Sequence, residues 1–518
     1  MNSDLCLYTP QTKAYSVQKH VRIFNIMKVL FLNPPFHNRF SRESRSPAVA
    51  KSATLYYPKW LAHAAGVAIK EGHNVDLIDA PAWCQDIKYV LDRIDSKGIE
   101  AVVCDTSTPS IVNDIKVVNQ ILEHNPKLHI IMVGRHVSSM PEEVLKTAPN
   151  LKAVAIREYE YTVRDWLETI KSGAGFENIL GVVWRNQKGE IVRNKERPAI
   201  ENLDELPFVS EVYKRFLNIE DYFYGHSKHP LVVFDTSRGC PYRCTFCVYP
   251  QTFSGHRMRY RSVNNVADEF DFIARELPQV KTVMLEDDTF IIDLKRTEAL
   301  ADELIIRNNK ISFDSNCRAD TKADVKFFKK LHKAGARLFC VGFESGDDEV
   351  LKYMKKNLQL NKTKQFMNNC KTAGIMVHGC FMVGNLNETK DTLQKTLNLA
   401  LDMNPDTAQF FPIMVYPGTT AYTEAKERGL LASENYSDWL TSDGLHNTTV
   451  NLPHITQLEL VGFCDSARRK FYLRPSYIFK KILQSLRSFD ELKRNLKGFK
   501  NLSKYLLYGS FGHQAENL

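Results

Sequence analysis

Residues 231–255 read LVVFDTSRGCPYRCTFCVYPQTFSG, and the fold of the whole chain follows from this stretch. It opens on Val232, Val233 and Phe234, a β-branched and aromatic run that reads as a buried strand. Cys240, Cys244 and Cys247 follow at once in the spacing C-x-x-x-C-x-x-C, with Phe246 inside the second interval. Eleven cysteines scattered over 518 residues would almost never fall into this pattern by chance. Thiolates so close in sequence fold around one soft-metal centre, and three of them supply all but one ligand of a four-iron cluster, leaving one iron open. The alternative is a closed structural zinc site, for which His256 is the local fourth ligand.

Outward from this loop, strands alternate with helices in both directions. Residues 28–35 (KVLFLNPP), a helix around LYYPKWLAHAAGVAIKEG that Gly72 is placed to end, and the strands in NVDLIDAPA, AVVCDTSTPS, HIIMVGRHVSS and LKAVAIREYE predict an α/β, doubly wound, Rossmann-like parallel sheet. Ligands of such sheets sit beyond the carboxyl ends of the strands. That rule selects Asn33, Pro34 and Pro35, Thr106, Ser107 and Thr108, Gly134, Arg135 and His136, and Glu158 and Tyr159. The first strand lacks a G-x-G-x-x-G turn, which disfavours a dinucleotide. After residue 230, KTVMLEDDTF, ISFDSNCRAD, ARLFCVGFESG, IMVHGCFMVGNLNET and TAQFFPIMVYPGT each read as a strand ending in polar residues. Six such strands predict a partial, TIM-like (β/α)6 barrel with its chemistry at the carboxyl ends. The expected division is an N-terminal extension over 1–26, a first domain over 27–165, a linker and hairpin over 166–229, the barrel over 230–430 and a basic helical region over 431–518.

Composition bounds the rest. At 43% hydrophobic and 25% charged residues the chain is an ordinary folded protein, too long for one core. No apolar run reaches the roughly 18 residues that span a bilayer, no signal-peptide pattern opens the chain, and the odd cysteine count suits a reducing compartment, so a cytoplasmic location is expected. The formal charge is +9, and residues 461–518 alone hold twelve basic against four acidic side chains. Within that tail Ile478, Ile482 and Leu486 follow at i+4 steps beside Phe479 and Leu483, flanked by Lys480, Lys481 and Arg487. Such a helix either packs on the barrel or lies on an anionic membrane surface. The tail carries no recognised RNA-binding motif, so no nucleic-acid partner is expected.

The strand followed by C-x-x-x-C-x-aromatic-C resembles the radical S-adenosylmethionine (SAM) superfamily. The resemblance implies that the open iron chelates SAM and that reductive cleavage, fed by a flavodoxin- or ferredoxin-type donor, yields a 5′-deoxyadenosyl radical. It places Phe246 against adenine, Glu286, Asp287 and Asp288 at the SAM amino group, Arg318 at its carboxylate and Glu344 at its ribose. GCFMVGNLNE over 379–388 departs from the family's usual fifth-strand loop. A doubly wound domain before this motif is similar to the cobalamin-binding domain of cobalamin-dependent radical SAM enzymes, which assigns cobalamin to Asn33, Thr106, Ser107, Gly134, Arg135 and Glu158. D-x-H-x-x-G is missing, so cobalamin is expected without a histidine on cobalt, His136 being the one candidate considered. TLYYPKWLAHAAG, FCVYPQTFSGHRMRYRSV and RRKFYLRPSYI further resemble the radical SAM proteins of hopanoid biosynthesis, implying ring contraction of a lipid-linked sugar to a cyclitol ether. The alternative is a cobalamin-dependent C-methyltransferase acting on a lipid or secondary metabolite.

Overall fold

A computed structural model describes residues 26–487 and 489–508, so the expected N-terminal extension up to residue 25 lies outside the described residues. Two sheets dominate. The first has seven strands, with Lys28–Asn33 flanked by Asn74–Asp79 and Ala101–Thr106, followed outward by His129–Gly134 and Ala153–Ala155, all parallel. Their burial is continuous rather than alternating, as expected of a sheet covered on both faces. The hairpin Val182–Arg185 with Ile191–Arg193 then extends this sheet by antiparallel pairing of Ala153–Ala155 with Val182–Arg185. The expected linker is therefore partly an edge of the first domain.

The second sheet has six parallel strands in sequence order: Leu231–Phe234, Thr282–Leu285, Ser312–Cys317, Ala336–Glu344, Met376–Val383 and Thr407–Pro412. Helices such as Val263–Glu276, Leu294–Ile306 and Lys390–Met403 return the chain between strands. This is the predicted partial barrel. Several helices start where the sequence provides an oxygen cap: Ser262 accepts from the Asn265 amide, Asp293 from Arg296 and Asp324 from Phe327.

The C-terminal region is not helical throughout. Residues 431–456 form an irregular segment that folds back onto the first domain, where Val49 N donates to Gly444 O at 2.8 Å and Tyr436 meets His136 edge-on at 5.0 Å. Helix Gln457–Tyr472 then closes the last barrel strand, with Tyr472 Oη donating to Ala408 O at 2.7 Å. Helices Pro475–Arg487 and Phe489–Tyr508 follow.

A seam of buried charge holds the two domains with their carboxyl edges facing. Glu158, at the end of Ala153–Ala155, takes both arms of Arg259 at 2.8 and 2.6 Å, and Glu160 meets Arg238 at 2.7 Å. Lys59, which opens the first long helix, pairs with Asp235 just after the first barrel strand. All six side chains are at least nine-tenths buried. Removing one partner leaves its opposite charge buried and unpaired, which costs about 3–5 kcal/mol. Glu158→Ala should accordingly lower the unfolding midpoint in guanidinium, whereas the exposed pair Lys364–Asp402 can be broken by Lys364→Ala with a loss below about 1 kcal/mol.

Candidate active site

The three clustered cysteines sit on a loop whose path only glycine allows at its start. Gly239 has φ +94°, and a Cβ there would lie 2.1 Å from Arg257 O. Gln251 Nε2 pins the far side by donating to Cys247 O at 2.7 Å and Cys244 O at 3.2 Å. Cys244 is buried and its two neighbours are half-buried. Burial pushes the Cys240 thiol up to about 11 and the Cys247 thiol up to about 12. Only a cation held among them would release these protons near neutrality. Among the described residues, these thiols do not converge within 4.8 Å of one another, the closeness a single-ion site requires. His256 shares a 3.1 Å hydrogen bond between its Nδ1 and Cys240 O. The donor set thus fits a multi-iron cluster better than a closed zinc site.

Several predicted SAM contacts gather beside this loop. Arg318 lies with Nη1 3.9 Å from Cys244 Sγ and its guanidinium 3.6 Å above the Tyr242 ring, held by Asp320 and Lys356 O, each at 2.7 Å. Glu344 ends its strand at φ +62°, a strained conformation for a carboxylate residue, and pairs with Lys356 at 2.9 Å. Asp288 takes a hydrogen bond from Ser254 Oγ at 2.9 Å, and Glu286 takes one from Asn316 Nδ2 at 3.1 Å. Burial holds the Glu286 carboxyl above its usual range despite Arg45 and Lys59 nearby. Phe246 is half-buried against the core. Asp287 is engaged within the barrel: its carboxylate accepts from Thr236 N and Oγ1, both at 2.6 Å, and from Ser237 N and Oγ, so it latches the first barrel strand to the second. In the departing loop, Glu388 folds back on the amide of Asn385 at 2.8 Å, and burial raises it to about 7.

The loop between the first strand and the first long helix supplies residues that the sequence reading did not select. Arg45 reaches across to the barrel, its Nη1 donating to Asp288 Oδ1 at 3.1 Å and its Nη2 to Asp287 O at 3.2 Å. Burial opposes its charge, but Asp288 and Glu286 outweigh that and hold Arg45 above its usual range. Ser46 bonds Tyr416 Oη at 3.0 Å and His446 Nε2 at 2.9 Å, and Tyr56 packs on Tyr224. Three arginines and one glutamate within RFSRESRS, in a long loop after a first strand, were the available signal.

The predicted cobalamin contacts divide. Ser107, Thr106 and Gly134 stand at the carboxyl edge, where a Cβ on Gly134 would lie 2.5 Å from Asp105 Oδ1 and 2.6 Å from Thr106 O. Thr106 Oγ1 donates to Val133 O at 2.7 Å, and Ser107 Oγ lies 2.8 Å from Ser110 Oγ. Asn33 and Glu158 already have partners within the protein. Asn33 is held between Arg42 and Asp79, and Glu158 belongs to Arg259, so both polar groups are committed to the protein. Arg135 donates to Ser44 O at 2.5 Å and lies over the Tyr249 ring. His136 is buried with Nδ1 3.2 Å from Thr108 Oγ1, and burial alone depresses it to about 3. The small residues Thr106, Ser107 and Gly134 thus line the carboxyl edge, with His136 engaged inside the protein.

Comparison with known proteins agrees. Residues 235–400 match the family model of the radical SAM superfamily, and residues 45–167 match that of the B12 binding domain. The chain is therefore a radical SAM, cobalamin-dependent enzyme whose cofactors are a four-iron, four-sulfur cluster, SAM and cobalamin. It is 28% identical over 463 residues to an uncharacterised methyltransferase of Pyrococcus horikoshii, covering 89% of this chain and 95% of that one. It is 26% identical to the anaerobic magnesium-protoporphyrin IX monomethyl ester cyclase of Rubrivivax gelatinosus, covering 78% and 70%. Its fold resembles the radical SAM methyltransferase TsrM of Kitasatospora setae, solved with cobalamin and an iron–sulfur cluster, at TM-score 0.65 and 16% identity over 85% of this chain and 88% of that one. Replacing Cys240, Cys244 and Cys247 together with Ala should abolish the cluster's visible absorption and all SAM cleavage; about four irons per chain in that variant would contradict the assignment.

Proposed function

We propose that this enzyme is a C-methyltransferase that acts on an unactivated carbon of a substrate held inside the barrel. The supporting observation is the contact between the two carboxyl edges: Arg45, from the loop after the first strand, donates to Asp288 beyond the second barrel strand, and the buried ion pairs join the domains next to the cluster loop. The match to the Pyrococcus horikoshii methyltransferase along 95% of that protein supports the same reading. When bound, the cluster and SAM supply a radical that takes hydrogen from carbon, and cobalamin supplies the methyl group. The chain's part is to orient and to exclude water. In this reading Glu286 and Asp288 receive the SAM amino group, Arg318, locked over Tyr242, its carboxylate, and Glu344, oriented by its ion pair with Lys356, its ribose. Tyr56 and Tyr224 pack on each other, and burial holds both phenols well above their usual range and therefore neutral. Ring contraction of a hopanoid-linked sugar rests on the short strings of resemblance alone, and methyl transfer accords better with the comparisons.

The substrate we propose is lipid-linked or lipophilic, reached at a membrane surface. No described helix is long and apolar enough to cross a membrane. Helix Pro475–Arg487 instead packs through Tyr477, Gln484 and the pair Lys480–Asp406, and leaves its apolar stripe outward. Phe479 is 63% exposed, Ile482 54% and Leu486 78%, with Leu496 and Phe499 of the next helix also exposed. Five exposed apolar side chains on these two consecutive helices, beside a tail of charge +8, fit the headgroup boundary of an anionic bilayer. Arg494 is buried and Lys480 is paired, so these two hold the helices in place.

Two measurements test these readings. Anaerobic incubation of reconstituted protein with SAM, reductant and a total lipid extract should give a product heavier by one methyl group, with a second SAM consumed per turnover; a product of unchanged carbon count would favour rearrangement. The protein should sediment with anionic vesicles and less so at about 0.5 M salt, where screening is short-ranged. Phe479→Ser with Ile482→Ser and Leu486→Ser should lose this binding, and equal sedimentation with neutral vesicles would remove the charge argument.

A further inference from the structure

Two neighbouring strands carry a second sulfur-rich group, separate in sequence from the cluster loop. Cys340 lies in Ala336–Glu344, and His378 and Cys380 lie two apart in Met376–Val383. Side chains two apart on a strand share a face. The opposite face of the second strand is committed to the outer layer: Phe381 stacks on Phe410, which meets Phe471 of the closing helix. His378 and Cys380 therefore face the barrel interior, and the register sets Cys340 directly beside His378. One ligand atom from each of the three lies within 4.8 Å of the others, the one such His, Cys and acid group among the described residues.

The geometry is that of a mononuclear thiolate site. Cys340 Sγ and Cys380 Sγ are 3.7 Å apart. Two thiolates at about 2.3 Å from a tetrahedral zinc ion stand about 3.8 Å from each other, whereas a disulfide brings its sulfurs to about 2.05 Å. His378 is held at its Nδ1 by a 2.7 Å hydrogen bond with Thr407 Oγ1, the kind of outer contact that fixes the orientation of a metal-ligating imidazole. His226 stacks on it with ring centres 4.8 Å apart and planes at 21°. His226 is itself nine-tenths buried, and its Nε2 has no hydrogen-bond partner among the described residues. Chemistry supplies a further reason. A free thiol gives up its hydrogen readily, so two thiols on the wall of a radical chamber would intercept the substrate radical. A metal-bound thiolate has no such hydrogen to give.

We propose that Cys340, His378 and Cys380 form a zinc site on the barrel wall, with a fourth coordination position open to an oxygen of the substrate. Binding releases the two thiol protons to solvent and oxidises nothing. Three protein ligands with one open position is the arrangement of reactive rather than structural zinc. The site stands whether the enzyme methylates or rearranges its substrate.

The test uses the full chain in which Cys240, Cys244 and Cys247 are Ala, so that no cluster thiol competes. Loaded anaerobically with Zn²⁺ and desalted, this protein should retain a stoichiometric zinc, and the added Cys380→Ser should abolish retention. The same protein loaded with Co²⁺ should show a thiolate-to-cobalt charge-transfer band that disappears with Cys340→Ser. Zinc X-ray absorption of the protein with an unaltered barrel provides a readout that no folding defect can mimic. It should show two sulfurs at about 2.3 Å and nitrogen or oxygen at about 2.0–2.1 Å. Absence of retained zinc, retention that survives Cys380→Ser, or a shell without two sulfurs would each overturn the proposal.

Discussion

The buried ion pairs that join the two domains are the constraint on which the remaining architecture depends. Charges removed from water are costly unless paired with good geometry. Here Glu158 receives a two-pronged guanidinium, Glu160 meets Arg238 and Lys59 meets Asp235, all inside the protein. Neither domain alone can bury these groups. The cost of exposing or separating them therefore enforces one relative placement, in which the carboxyl edges of both sheets face each other. Arg238 and Asp235 lie just before the cluster cysteines, so the same contacts that dock the domains also fix the path of the loop.

Around that seam the charged loop Arg42–Arg45 works in two directions. Arg42 turns inward to Asp114 and fills the space under the first sheet's strand ends, while Arg45 turns outward to Asp288. Glu43 stays between them, accepting from the amides of Trp60 and Leu61 at the start of the first long helix, with burial raising its carboxyl to about 8. A helix N-terminus favours such an acceptor. One short segment thereby ties the B12 binding domain, its own helix and the end of the second barrel strand together.

The barrel interior shows a division of labour along its strands. Acids and Arg318 stand near the cluster loop, while Cys340, His378 and Cys380 stand on the fourth and fifth strands.

Much of this was legible in the sequence because it depends on local pattern. The strand and helix alternation, the six barrel strands, the three-cysteine loop and the apolar stripe of the tail all follow from spacing over a few residues, which fixes which side chains share a face. What the sequence did not decide depends on pairing between distant segments. The hairpin at 182–193 reads alike as a free arm or a sheet edge until Ala153–Ala155 is beside it. Asp287 and Asp288 are adjacent acids at one strand end, yet one faces Thr236 and Ser237 while the other faces Ser254 and Arg45. The tail helix has a basic and an apolar face in sequence, but only its docking through Tyr477 and Gln484 left the apolar face outward. Cys340 and Cys380, forty residues apart, carry no mutual signal along the chain. Parallel-strand register alone brings their sulfurs together, because a side chain's face is set locally while its neighbour across the sheet is set by the whole fold.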